Sequence, residues 1–282
     1  MTRWFLRSLV LLAVTASLLA TGFVPAAGTE GDFSLVPRSK ISQPPFSGVT
    51  LVTVANRVVC SGFVISPRKV VTAGHCLVRD AGKGDYRLRS NLPSRVRVYR
   101  AYSRSVGSSS GQACSVARAW VHPKFVRRGQ KDQVFGSRVH DYAVLTTERG
   151  CRFPRESVLR LWGTRAGDGR LRIGQLVRLA GYPADPRIQG MNGLNMWRSQ
   201  GRVSPSGSDP RHLIFTGFVS NGMSGGPVWR TFRTNSPCGR KHCVVGIVTE
   251  CAVNGRGLCK KGLSERVGVR ITRHVKKLLR SK

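Results

Sequence analysis

The segment at residues 70–76 reads VVTAGHC, and it closely follows the segment CSGFVIS at residues 60–66. Both segments are rich in β-branched residues, so the pattern predicts two strands, the second of which ends at a histidine beside a cysteine. A bond between Cys60 and Cys76 would tie the segments together and hold His75 in place, as a general base requires. A lone histidine is more often a hydrogen-bonded core residue, so the interpretation depends on the segment as a whole.

Short apolar runs of this kind continue along the chain, and Gly, Pro, Ser and Asp cluster between them. Many short strands at such spacing predict an all-β barrel or sandwich. Only residues 272–279 place apolar residues at helical spacing, with Lys and Arg on the other face. The predicted strands lie at residues 49–55, 58–66, 69–72, 96–101, 117–122, 143–147, 176–180, 213–218, 228–231, 244–249 and 267–271.

Two further segments contain side chains suited to catalysis. In HDYAVL at residues 140–145, Asp141 stands directly before an apolar strand, which indicates a carboxylate held by hydrogen bonds. Taken alone, a turn or strand-cap aspartate is the simpler explanation. In NGMSGGPVW at residues 221–229, glycines flank Ser224 and let amide N–H groups converge on one point. Serines in Gly-rich turns are common, so this segment gains its meaning from the other two.

Together the three segments resemble the trypsin-like and chymotrypsin-like serine peptidases, above all the bacterial branch related to glutamyl endopeptidases. TAGHC, DYAVL and GMSGGPV match that family's three motifs, and the order His, Asp, Ser is also the family's. The resemblance extends from about residue 46 to the end of the chain. It implies an all-β fold of two six-stranded antiparallel β-barrels, with a C-terminal helix and an active site in the cleft between the barrels.

The resemblance assigns a role to individual residues. Ser224 would be the nucleophile, His75 the base that takes its proton, and Asp141 the group that orients His75. The N–H groups of Gly222 and Ser224 would form the oxyanion hole. Thr249 stands where the family has a serine that hydrogen-bonds the aspartate. The family's disulfide would join Cys60 to Cys76.

The sequence departs from the trypsins in two places. Met223 stands where trypsins have an aspartate that pairs with a new amino terminus, so activity is predicted not to depend on burying such a terminus. The residues assigned to the specificity pocket differ from both familiar patterns. Phe218 replaces the aspartate that selects Arg and Lys, and Val248 replaces the histidine that helps to select Glu. The assigned pocket residues are Phe218, Val248, Glu250, Cys251 and Gly268.

Glu250 has two interpretations, as a group that attracts basic substrates or as a solvated charge at the rim of the pocket. An esterase or lipase is the other enzyme class considered, because GMSGG fits the G-x-S-x-G pattern of those enzymes. Glu250 and His274 would supply the acid and the base in the required order. The alternating helices of that fold are missing from the sequence pattern, so this alternative is disfavoured.

Eight cysteines and the amino-terminal segment indicate export. Arg3 and Arg7 precede a nearly continuous apolar stretch at residues 8–24, which is typical of a signal peptide. A membrane anchor is the alternative for this stretch. The protein is predicted to be secreted or periplasmic, without cofactor or metal. Zinc at Cys238, His242, Cys243, Cys251 and Cys259 is an alternative for the cysteines, but no paired C-x-x-C spacing supports it. The six cysteines other than Cys60 and Cys76 allow 15 pairings, which the sequence leaves open. Nearest-neighbour pairing would give Cys114–Cys151, Cys238–Cys243 and Cys251–Cys259.

The chain carries 47 Lys and Arg against 13 Asp and Glu, a formal net charge of +34. Such a surface attracts anions, which predicts non-specific affinity for anionic polymers or membranes but no dedicated nucleic-acid site. A charged surface that merely keeps the protein soluble is the simpler explanation. The motifs and the charge together predict one of two functions. The protein is a secreted serine endopeptidase acting on proteins or peptides, or it is a catalytically weak or inactive protease-fold protein that binds polyanions or anionic membranes.

The expected organisation has four parts. Residues 1–26 form a signal peptide, and residues 27–45 form a pro-segment or flexible arm. Residues 46–160 form the N-terminal β-barrel with His75 and Asp141. Residues 161–282 form the C-terminal β-barrel with Ser224 and the terminal helix.

Overall fold

The Val-rich runs of the sequence become strands in the computed structural model. It describes residues 33–55, 57–80, 86–89, 92–104, 112–128, 138–163, 171–185, 189–205, 209–232, 238, 240–251 and 266–282, so the expected signal peptide lies outside the described residues. The helices are α1 (Arg38–Ile41), α2 (Pro123–Arg128) and α3 (Arg273–Ser281). The strands are β1 (Ser34–Leu35), β2 (Val49–Val54), β3 (Arg57–Ser66), β4 (Lys69–Thr72), β5 (Val78–Asp80), β6 (Tyr86–Leu88), β7 (Val96–Arg100), β8 (Gln112–Val121), β9 (Ala143–Thr147), β10 (Arg160–Leu161), β11 (Leu176–Gly181), β12 (Trp197–Arg202), β13 (His212–Phe215), β14 (Pro227–Thr231), β15 (His242–Cys251) and β16 (Arg266–Arg270).

Six strands of the N-terminal half close into a barrel in the order β2-β3-β4-β9-β8-β7. β2 is buried along its whole length, because its two faces meet two different cores. Val52 and Val54 pack inside the barrel, whereas Leu51 packs outward against Ala180 of the second half. Strands covered on both faces are usually rich in β-branched and aliphatic residues, and β2 consists only of Val, Leu and Thr.

The C-terminal half is a sheet in which six strands follow one another in the order β12-β11-β14-β15-β16-β13. The two end strands of this path meet at an isolated bridge between Val203 and Phe215. Hydrogen bonds from Thr216 N to Arg202 O and from Ser204 N to Ile214 O accompany the bridge. The prediction of an all-β fold with a C-terminal helix is confirmed. In the second half, the two end strands of the sheet meet at this bridge rather than along a full ladder of hydrogen bonds.

The terminal helix was predicted at residues 272–279, and α3 begins one residue later. Thr272 is its N-cap, because the Thr272 side chain accepts a hydrogen bond from Val275 N. Val275 and Leu279 are buried in a core shared with Phe63 of β3 and Leu161 of β10. The helix therefore packs on a core to which both halves contribute. No helix of the described residues is long and apolar enough to cross a membrane.

Residues 33–45 differ from the flexible arm that was expected for this part of the chain. β1 pairs antiparallel with β12, and Val36 and Ile41 are each only 5% exposed. Phe33 stacks on Trp197, with ring centroids 4.6 Å apart. Burial of these apolar side chains holds the segment against the second sheet.

Three disulfides are formed by the described cysteines: Cys60–Cys76, Cys114–Cys151 and Cys238–Cys243. All three are among the pairs named from the sequence. The remaining predicted pair, Cys251–Cys259, lies outside the described residues because residue 259 is not among them.

Candidate active site

His75 and Asp141 lie side by side because their strands are paired. His75 is in a 3-10 turn (Gly74–Cys76) just after β4, and Asp141 stands just before β9. β4 and β9 are antiparallel with Thr72 opposite Ala143, which brings the end of one strand to the start of the other. The Nδ1 atom of His75 is 2.7 Å from Oδ2 of Asp141.

A second hydrogen bond fixes the same carboxylate. The backbone N–H of His75 donates to Oδ1 of Asp141 at 2.8 Å. Asp141 is 1% exposed, and a buried carboxylate is stable there only if it is hydrogen-bonded. Gly74 leaves the necessary space, since a Cβ at that position would lie 3.1 Å from Oδ1 of Asp141. The side chain of His75 stays 32% exposed and so remains accessible from the cleft.

Ser224 lies on a tight turn between two glycines of positive φ, Gly222 at 86° and Gly225 at 85°. A Cβ on Gly225 would lie 2.6 Å from Ala73 N, so the turn packs directly on the segment that leads to His75. Ser224 O accepts a hydrogen bond from Ser61 N at 2.8 Å. The Ser224 hydroxyl donates to Thr249 O at 3.2 Å.

The backbone N–H groups of Gly222 and Ser224 were predicted to form an oxyanion hole. Within the described part of the chain, neither N–H donates to a protein acceptor. Asn221 O accepts from Ala184 N at 2.7 Å, and because a trans peptide points its N–H away from its C=O, the N–H of Gly222 points in the opposite direction. Backbone N–H groups without an internal acceptor are available to bind an anionic oxygen.

Ser61 contributes to this geometry, and sequence reasoning gave it no role. Its hydroxyl donates to Gly222 O at 2.7 Å and accepts from Tyr182 N at 2.8 Å. Ser61 is fully buried. It therefore holds the peptide between Gly222 and Met223 from the first barrel, directly after the Gly222 N–H. In the sequence, only its position inside CSGFVIS could have pointed to Ser61. Both hydrogen-bond partners lie more than a hundred residues away along the chain, so no local pattern predicts these contacts.

Thr249 does not make the hydrogen bond to the aspartate that the resemblance implies for its position. Its hydroxyl donates to Val267 O at 3.1 Å and not to Asp141. A threonine hydroxyl has one proton to donate, and the neighbouring strand β16 takes it. Asp141 is held instead by the two bonds from His75, while the Thr249 carbonyl faces Ser224.

The residues assigned to the specificity pocket lie in two places. Val248 is fully buried and pairs with Gly268 across β15 and β16. Phe218 is half-buried, and its N–H donates to Ser199 Oγ at 2.9 Å. The Phe218 ring also contacts Phe33 at a centroid distance of 3.9 Å. The backbones of Glu250 and Cys251 continue β15, whereas their side chains lie outside the described part.

Met223 lies beside Ser224 and is fully buried in the core of the second sheet. Its thioether packs against apolar neighbours such as Val228 and Val248. A methionine makes no ion pair with an amino terminus, and burial in an apolar core is the usual environment of such a side chain.

Burial shapes the titration of side chains around Asp141. It raises the pKa of Tyr142 above the usual range. The pKa of His122 is lowered to about 4, first by burial and then by the charges of Lys124 and His274. The His122 ring stacks on His140 at 4.5 Å, and His122 N donates to Tyr142 O at 3.2 Å.

Metal binding was considered for two groups of side chains. Cys60, His75 and Cys76 bring their ligand atoms within 4.8 Å of one another, but the two sulfurs are bonded to each other. The same holds for Cys238 and Cys243 of the zinc alternative. A metal needs thiolates, so neither cysteine pair supplies ligands in this oxidised form.

The β-rich halves, the His75–Asp141 contact and the glycine-flanked Ser224 define a peptidase of the trypsin-like class. The family profile described as the trypsin-like peptidase domain matches residues 60–234, and the chain belongs to this family. Among solved structures, a Glu endopeptidase in complex with MPD is similar at a TM-score of 0.60 and 17% identity, covering 89% of this chain and 95% of that chain. At that identity the likeness shows a shared fold. The comparison with curated proteins found no match.

Proposed function

We propose that the protein is a serine endopeptidase that cleaves peptide bonds through an acyl-enzyme intermediate. The observation that carries this proposal is the double contact between His75 and Asp141. Nδ1 is engaged by the carboxylate at 2.7 Å, which orients the ring and assigns proton transfer to Nε2. A buried aspartate also stabilises the imidazolium that forms during the reaction.

In the proposed mechanism, Ser224 Oγ attacks the carbonyl carbon of the scissile bond while His75 takes the hydroxyl proton. The developing oxyanion accepts hydrogen bonds from the N–H groups of Gly222 and Ser224. His75 then protonates the leaving amine, and an ester on Ser224 remains. Water, deprotonated by His75, hydrolyses the ester and restores the enzyme.

Family membership implies protein or peptide substrates. We propose that the pocket residues Phe218, Val248 and Gly268 give a cleavage preference that differs from those of trypsin and of the glutamyl enzymes. Val248 and Phe218 offer no charge at the positions that those enzymes use. Activity is also proposed not to require a buried amino terminus, which the burial of Met223 in the apolar core of the second sheet supports.

We further propose that residues 1–26 are a signal peptide, that any pro-segment lies within residues 27–45, and that the two barrels comprise residues 46–160 and 161–282. The three disulfides support an oxidising destination, since cytosolic proteins rarely keep such bonds. Export to the medium or the periplasm follows from this proposal.

A fluorophosphonate probe tests the proposal, because it reacts with activated serines. We expect stoichiometric labelling at Ser224, and the Ser224→Ala variant should lose labelling and about 10⁵-fold or more of its peptide hydrolysis. The Ser281→Ala variant, which changes an exposed serine, should keep both. A folded wild-type protein that stays unlabelled yet binds polyanions would favour the inactive protease-fold alternative.

A further inference from the structure

The C-terminal helix presents a row of cations on one face. Its sequence RHVKKLLRS has Arg273, Lys277 and Arg280 exposed and Lys276 half-buried. Their spacing of three, four and seven residues places the four on one side of the helix, along about 10 Å of its length. The apolar side of α3 is turned into the core, so the outer side of the helix is almost entirely cationic.

This row borders an open depression of about 550 Å³. It is lined by Gly163, Arg273, Lys276, Lys277, Arg280 and Ser281. The absence of a side chain at Gly163 matters here, because a Cβ would lie 2.8 Å from Cδ of Lys276. The depression is therefore a concave surface with positive charge along one wall.

Internal contacts do not account for these charges. Among the residues that the structure describes, no carboxylate pairs with Arg160, Arg273, Lys276, Lys277 or Arg280. Arg273 lies in the first turn of α3, where the helix dipole disfavours a cation and where acidic residues are absent. Burial, followed by the charges of Arg280 and Arg160, lowers the pKa of Lys276. The cations therefore repel one another, and an anion bound among them would relieve that repulsion.

Two neighbouring cations have a structural role at the other end of the helix. Lys69 Nζ donates to Arg280 O at 2.7 Å, and Arg118 donates to Lys282 O at 2.6 Å. These bonds satisfy carbonyls that the last turn of a helix leaves open. They fix α3 to β4 and β8, so the cationic row is held on a rigid support.

We propose that Arg160, Arg273, Lys276, Lys277 and Arg280, together the α3 basic face, bind a linear acidic polysaccharide. Its sulfate or carboxylate groups would pair with successive cations along the helix, and the guanidinium groups can bind such anions through two hydrogen bonds. This site is additional to the proposed peptidase activity and does not depend on it.

Two other polyanions fit the surface less well. Helices that bind membranes insert an apolar face, but Val275 and Leu279 of α3 are already buried in the protein. Single-stranded nucleic acids need aromatic side chains on which bases stack, and no aromatic residue lines this depression. A short cationic row without an apolar or aromatic component suits a hydrophilic chain whose anionic groups recur along its length.

The test compares two variants that lose the same charge in different places. One carries Arg273→Gln, Lys277→Gln and Arg280→Gln, and the matched control carries Arg87→Gln, Arg89→Gln and Arg95→Gln, at three exposed positions outside this face. Both are made in a Ser224→Ala background, which prevents self-digestion and separates the result from the peptidase proposal. Binding of a heparin-derived octasaccharide is measured by calorimetry over a range of NaCl concentrations, and melting temperatures verify folding.

The expected result is at least about a tenfold weaker affinity for the α3 variant, with a salt dependence smaller by about two counterions. The control should change by less than about twofold. Equal losses in both variants would mean that only total charge matters, and would overturn the site. Duplex DNA or phosphatidylserine vesicles that displace the octasaccharide at lower charge concentration would overturn the choice of polysaccharide.

Discussion

The two halves of the molecule hold their proposed catalytic groups in different ways. In the first barrel, His75 and Asp141 follow from one strand pair, and a disulfide and two hydrogen bonds fix them locally. In the second half, Ser224 lies on a turn whose shape depends on atoms of both halves, including Ser61 and Val248. The base and its partner are therefore set by one barrel, whereas the geometry of the nucleophile is set where the two halves meet.

Within the first barrel, the largest effect is expected when the carboxylate of Asp141 is changed. In the Asp141→Asn variant, the amide cannot accept the His75 ring proton as a carboxylate does, and it no longer balances the imidazolium. We expect kcat to fall by about 10⁴-fold with the fold intact. Peptide hydrolysis and fluorophosphonate labelling rates are the measurements.

Asp209→Asn is the matched control for that experiment. Asp209 pairs with Arg211 near the surface, and the hydrogen bonds of Arg211 lower the pKa of Asp209. Its loss should leave kcat within about twofold of the wild type, because surface pairs contribute little. An Asp141→Asn variant as active as this control would remove Asp141 from the proposed triad.

The difference between the halves also decides what could be read from the sequence. Local patterns predicted β2, β4, β9 and the helix to within two residues, because each strand is a short run rich in β-branched residues and the helix has an apolar stripe. β12 was not predicted, since its sequence WRSQGR is largely polar and the strand depends on pairing with β1 and β11. The docking of residues 33–45 was missed for a similar reason, as Val36 and Ile41 show no periodicity and find their partners far along the chain.

The proposed site likewise contains features that local motifs predict and features that depend on the fold. His75, Asp141 and Ser224 stand in recognisable motifs, so their positions could be proposed from sequence. The hydrogen bonds of Thr249 and Ser61 could not, because each depends on a partner brought close by the fold. A motif gives the residue type that chemistry needs, but the acceptor of a hydroxyl proton is chosen by three-dimensional proximity.

The first barrel is also expected to lose stability in acid. His122 has a folded-state pKa of about 4 against an ordinary histidine pKa of about 6.5, so the unfolded chain binds its proton at higher pH than the folded protein does. The free energy of unfolding should therefore fall as the pH drops from about 6.5 to about 4, by at most about 3 kcal/mol from this residue. Urea unfolding at several pH values measures the slope.

His122→Asn should remove that part of the pH dependence, since asparagine does not titrate and its oxygen can replace Nδ1 as the acceptor of Lys124 N. His274→Asn changes an exposed histidine nearby and should retain the acid dependence. Identical slopes for the wild type and His122→Asn would show that His122 is protonated equally in both states, contrary to its burial.

The smallest expected effect probes the boundary between the halves, at Ser61. Ser61→Ala removes the bond to Gly222 O and the bond from Tyr182 N, so the peptide between Gly222 and Met223, next to the Gly222 N–H, loses its support from the first barrel. We expect kcat to fall by about tenfold while KM changes by less than about twofold, because an oxyanion contact stabilises only the transition state. Ser103→Ala is the matched control: Ser103 is also buried, and its hydroxyl donates to Asn195 Oδ1 at 3.2 Å. A rise in KM at constant kcat, or an equal loss of kcat in the control, would contradict this prediction. Ser61 would then support the fold generally, and the turn that carries Ser224 would not need the first barrel for its shape.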